Sequence, residues 1–227
     1  TNYFTMGADG ATNGSWNGDI DETSIWNRVL TTAEITTIYN SGTGKTLDTA
    51  KGAGTWTLES PVNIISDLYA WYDASDASTI TKDGSNLVSQ WNDKSENGNN
   101  VTQSTGSKQP TWTDNIQNSK PTIRFDGSND DMKVTYGSAL SGATTVFVVC
   151  TMPTGNGSER FVLDGLTAGD RFAYLVTSST PYLHYMYRGG GITSTNVDKT
   201  MRMFTLVYNS SSSSLGIDKT DVATGNA

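Results

Sequence analysis

The sequence predicts an all-β protein: a two-sheet antiparallel jelly-roll sandwich with one short helix near residues 31–40. Three observations carry that prediction. Six Trp, ten Tyr and six Phe, with many Val, Ile and Thr, occur in short runs that suit pleated strands better than helices. Twenty-three Gly, together with abundant Asn, Ser and Thr, punctuate those runs with turns. No window carries a long amphipathic pattern of helix-forming charged residues. A chain of 227 residues is long enough for one large sandwich, or for one sandwich plus part of another.

Taken in order, Tyr3–Gly7 reads as a strand and Asp9–Asn17 as an Asn/Gly-rich turn. A second strand spans Gly18–Asn27. Within it Ile20 and Ile25 are an odd number of positions apart, so strict alternation sends them to opposite faces; a bulge near Asp21–Glu22 would return both to the core. A helix follows from Thr31 to Tyr39. Thr31 or Thr32 caps it, Glu34 sits in its first turn, Ile35, Ile38 and Tyr39 form its apolar face, and Gly42 stops it. A Gly/Thr/Ala-rich connection then contains one short strand, Thr55–Leu58. Beyond it come Asp67–Tyr72, Val88–Trp91, Thr122–Phe125, Thr145–Thr151, Arg160–Asp164, Ala173–Thr177, Tyr182–Tyr187, Met203–Tyr208 and Ser214–Ile217. Asn97-Gly98 is a strong turn signal.

Gly18-Asp19-Ile20-Asp21-Glu22-Thr23-Ser24-Ile25-Trp26-Asn27-Arg28-Val29-Leu30-Thr31, followed by Ala33-Glu34-Ile35 and Ile38-Tyr39-Asn40, is similar to the closing strands and final helix of the laminin-G-like, concanavalin A-like family. Trp71-Tyr72-Asp73-Ala74-Ser75-Asp76, Gln90 through Ser95, Gln109-Pro110-Thr111 and Lys120 through Asp130 resemble its opening. The resemblance covers most of the chain, in inverted order. It divides the sequence into closing strands at 1–48, a linker at 49–64, and opening and central strands at 65–227. A tandem array sampled out of phase, a circular permutant, and strand exchange between neighbouring chains each account for that order. In every case strands 1–48 are expected to pack into the 65–227 sandwich, which would otherwise expose unpaired edges.

Composition narrows the partners. A net charge of −8 without a basic run speaks against a nucleic-acid backbone. No stretch approaches the roughly 20 apolar residues of a membrane span. The single cysteine, Cys150, closes the apolar run Val146–Val149 and reads as a buried thiol.

Catalytic sets are weak. Asp19 and Asp21 stand at alternate strand positions, as carboxylates do in glycan-hydrolysing sandwiches, but Thr23 occupies the third position. His184 is the one histidine, and no nucleophile elbow accompanies it. The chain is therefore expected not to be an enzyme. The oxygen-rich turn Asp126–Asp131 suggests calcium, which takes roughly 6–8 oxygen ligands, with Asp126, Asp130, Asp131 and Asp21 as ligands. For carbohydrate, alternation sends Leu183, Tyr185 and Tyr187 one way and Tyr182, His184, Met186 and Arg188 the other. Tyr182, His184 and Arg188 are the expected sugar-binding residues on an open polar face. The resemblance implies a non-catalytic carbohydrate- or surface-recognition module of a phage fibre or bacterial adhesin, on a virion surface or outside a cell. Its partner would be a glycan or cell-surface polysaccharide. The alternative is a structural spacer or capsid-decoration domain that binds only neighbouring protein chains or repeats.

Overall fold

The computed structural model describes residues 2–9, 14–39, 67–138, 140, 142–151, 159–165, 173–176, 183–194, 200–218 and 220–226. They form two antiparallel sheets and one helix, the sandwich that the aromatic and turn pattern predicts. In chain order the strands are β1 (Asn2–Met6), β2 (Asn17–Trp26), β3 (Leu68–Tyr72), β4 (Ile80–Lys82), β5 (Val88–Trp91), β6 (Val101–Thr102), β7 (Thr111–Gln117), β8 (Lys120–Asp126) and β9 (Met132–Tyr136). They continue as β10 (Thr144–Cys150), β11 (Arg160–Gly165), β12 (Ala173–Val176), β13 (His184–Tyr187), β14 (Gly191–Ser194), β15 (Arg202–Tyr208), β16 (Ser213–Ile217) and β17 (Thr220–Gly225). The helix α1 is Thr32–Tyr39. The expected strand Thr55–Leu58 lies outside the described residues.

One sheet runs β14-β13-β12-β11-β1-β9-β6-β5-β4; the other runs β17-β16-β15-β10-β2-β8-β7, with β3 also on β2. The first two strands of the chain are thus inner strands, one in each sheet. Phe4 of β1 pairs with Val134 on one side and Gly165 on the other. At the exit of β1, Gly7 has φ +84°, and a Cβ there would collide with the Phe125 ring at 2.1 Å, so glycine is required both for the turn and for the packing.

The strand β2 keeps β10 along one edge and divides the other. Its first half, Asn17–Ile20, pairs with β8; its second half, Thr23–Trp26, pairs with β3. The division coincides with a bulge. Pairing with β10 passes from Phe147↔Ser24 to Val149↔Asp21, which leaves an extra residue on β2, and Glu22 has φ +45°. Ile20 and Ile25 are both fully buried in the core, as the odd spacing required.

Between the sheets lies a continuous core that includes Phe4, Met6, Trp91, Phe125, Val148, Tyr174, Met186 and Phe204. Cys150 is a buried free thiol within it, and burial pushes its proton affinity far above the ordinary thiol range. A second cluster covers the outer side of β2, β3, β10 and β15, where Ile38 and Leu30 pack on Trp26, Leu68, Trp71, Phe147 and Met203. The helix is held by a reciprocal cap: Glu34 N donates to Thr31 Oγ1 at 3.3 Å, and Thr31 N donates to Glu34 Oε2 at 2.7 Å. Arg28 adds two bonds to the same carboxylate, at 2.6 and 3.0 Å. That guanidinium holds the Glu34 carboxyl down at about 2.

Candidate functional site

The register of β13 decides its two faces. His184 stands opposite Val176 and Ser194, and Met186 opposite Tyr174 and Ile192; this row points into the core. Tyr185 stands opposite Leu175 and Thr193, and Tyr187 opposite Ala173 and Gly191; this row points outward. The predicted alternation holds, but its two sides are reversed. His184 is 1 % exposed, so it is not a surface ligand for sugar. The reason is local: the Tyr174 hydroxyl lies 2.6 Å from His184 Nδ1, the two rings stack, and Phe204 packs 4.8 Å away, so the imidazole is both hydrogen-bonded and covered.

Arg188, the residue after β13, donates through Nη1 to Gly142 O at 2.7 Å and Thr144 Oγ1 at 3.1 Å, bracing the end of β13 against the start of β10. Tyr182 lies outside the described residues. Of the described members of the expected trio, His184 is therefore buried and offers no open face.

What does face outward is an aromatic pair. Tyr185 and Tyr187 are half-buried, 6.3 Å apart and inclined by only 17°. They flank the small apolar cluster Phe161, Ala173 and Leu175, with exposed Thr193 beside them. A Cβ on Gly191 would lie 2.0 Å from the Tyr185 hydroxyl, so the missing side chain is what lets this ring lie across β14.

The acidic turn is satisfied internally. Asp126 Oδ1 accepts from Ser128 N at 2.7 Å, and Asp130 Oδ2 accepts from Asp126 N at 3.0 Å. Asp131 accepts from Gln103 Nε2 at 2.7 Å and pairs with Lys133 at 2.7 Å. Two carbonyls that would suit a cation, Gly127 O and Ser15 O, accept from Arg160 Nη1 at 2.7 and 2.6 Å. Burial, reinforced by Asp126 and Asp131, raises the Asp130 carboxyl to about 6. Asp21 does not join these residues. The residue of β2 paired with Asp126 is Asn17, and Asp21 stands further along, accepting from Ala74 N at 2.9 Å. Among the described residues no three or more His, Cys, Asp or Glu are grouped to hold a metal ion. Asp19, the other carboxylate of the alternate pair, is bound bidentately by Arg124 at 2.8 and 2.9 Å.

A further constellation surrounds the bulge where β2 divides. Asp21 caps the end of β3, and Glu22 Oε2 accepts from Trp71 Nε1 at 3.1 Å. Lys94 Nζ lies 4.2 Å from the Trp71 ring centre and pairs with Asp73 at 2.8 Å and Asp76 at 3.0 Å. Burial, then the neighbouring Asp73 and Asp21 charges, raises Glu22 to about 8; Asp21 is raised to about 6, chiefly by burial. At neutral pH Glu22 therefore keeps its proton. Trp71, Asp73 and Asp76 belong to one sequence motif and Lys94 to another, 21 positions beyond Asp73, and nothing local in the sequence joins them. The only sequence signal for their meeting was the bulge. No helix among the described residues is long and apolar enough to cross a membrane. The chain matches no family model, no curated protein and no solved structure.

Proposed function

We propose that this chain is a non-catalytic carbohydrate-recognition module, laminin-G-like in kind, and that Tyr185 and Tyr187 form its sugar platform. The supporting observation is the near-parallel outward pair on β13, set in a four-strand region of sheet and flanked by exposed Thr193. Aromatic faces stack on the C–H faces of sugar rings, and their hydroxyls hydrogen-bond at the rim. Rings fixed by a sheet also lose little conformational freedom on binding. This platform uses the strand expected from the sequence, but its opposite face.

The experiment is a glycan array probed with the full chain, with Tyr185→Ala and with Tyr187→Ala, each in calcium and in chelator. Selective binding by the native chain that falls tenfold or more in either variant, at unchanged Tm, supports the reading. Binding that survives both substitutions removes the platform. Silence from a folded sample puts the spacer reading, binding only to neighbouring protein chains, in first place. Loss of binding in chelator alone would return attention to the Asp126–Asp131 turn.

A further inference from the structure

We propose that Lys94 and Asp73 condense into an intramolecular amide cross-link, with Glu22 as the proton carrier. The geometry is that of a reactive pair held in place. Lys94 Nζ is 2.8 Å from Asp73 Oδ2, and the Asp73 side chain is 5 % exposed against 34 % for Asp76, the other carboxylate on the same ammonium. The Asp73 carboxyl is further fixed by Ser75 N donating to Oδ1 at 2.9 Å. Lys94 is anchored through its own backbone, its N–H donating to Trp71 O at 2.8 Å, while the Trp71 indole covers the ammonium. Trp71 also donates to Glu22, so one side chain organises both the nucleophile and the acid.

The bulge explains why Glu22 is available. Its positive φ turns it out of the alternation of β2, and burial together with the Asp73 charge keeps it protonated at neutral pH.

The step balances without any co-reactant. A proton passes along the hydrogen bond from Lys94 Nζ to Asp73 Oδ2, giving a neutral amine and a neutral acid. The nitrogen lone pair attacks Cγ of Asp73. Glu22 gives its proton to the departing Oδ2 and takes one back from the nitrogen, and the Cγ–Oδ2 bond breaks to release one water. The ammonium has lost two protons, the water has gained both, and Glu22 is unchanged. Two groups fixed in contact reach effective concentrations of about 10⁵ M or more, which offsets the poor reactivity of a carboxylic acid.

Intact-mass measurement of the full chain, after prolonged incubation in the folded state at neutral pH, tests this directly. The expected result is a mass lower by one water, with a tryptic fragment in which the Lys94 and Asp73 peptides are joined. Lys94→Arg retains the charge pair but cannot condense in this way, and should keep the full mass. Glu22→Gln retains an acceptor for Trp71 and should keep the full mass or lose water at least tenfold more slowly. A native chain of full mass, cleaved by trypsin at Lys94 after complete unfolding, overturns the proposal. So does water loss in Lys94→Arg, or a junction at Asp76. Condensation at native speed in Glu22→Gln overturns the role given to Glu22.

Discussion

Glu22 occupies a position that few glutamates tolerate: positive φ, in the middle of a strand, with its carboxyl facing two aspartates. Because its folded proton affinity, at about 8, exceeds the ordinary 4.5, protonation favours the fold. That contribution is fully present below about pH 4.5 and is lost as pH rises through about 8. Asp21 acts in the same sense, between about 3.8 and 6. Thermal unfolding should therefore show Tm falling as pH rises from 5 to 8 by roughly one buried group's linkage, and Glu22→Gln should flatten that slope. A Glu22→Gln chain as pH-sensitive as the native one would contradict the assignment. Glu34 works in the opposite sense, its contribution present above about 4.5 and lost as pH falls through about 2. His184 belongs to stability rather than recognition: His184→Ala should cost roughly 2–5 kcal/mol in a denaturant titration, as large-to-small core changes do, while leaving glycan binding intact.

At the scale of elements, local signals were legible and long-range ones were not. The cap of α1 could be read from Thr31 and Glu34 alone, because its bonds close within one helical turn. Thr31→Ala should lower stability by about 1 kcal/mol, measured by chemical denaturation. The bulge in β2 could also be read, from the spacing of two isoleucines. By contrast β4, β6, β14 and β17 are short or polar, and although each pairs with the strand before or after it in the chain, no run of apolar or β-branched residues announces them. The faces of β13 are not told apart by its sequence because both rows carry aromatic or polar side chains; the presence of Tyr174 and Phe204 on the inner side settles which row is buried. The acidic turn shows the same limit. Its composition suits a metal or a self-bonded loop equally, and the arginine that fills it lies 33 positions away from Gly127.

At the scale of the molecule, the inner placement of β1 and β2 makes the first 26 residues indispensable to both layers. A chain lacking residues 1–48 leaves β9 and β11 without their shared neighbour in one sheet, and β8 and β10 without theirs in the other. It should be insoluble or unfolded by circular dichroism; a soluble, cooperatively melting remainder would refute that dependence. The same placement governs how the sandwich bears tension. Among the described residues β17 is an edge strand held along one side only, so a pull entering there undoes one ladder at a time. β1 is clamped by ladders on both sides, and a pull entering there must shear two together. Stretched between β1 and β17, the domain should yield first at β17 and then β16, and keep the β9-β1-β11 triplet longest.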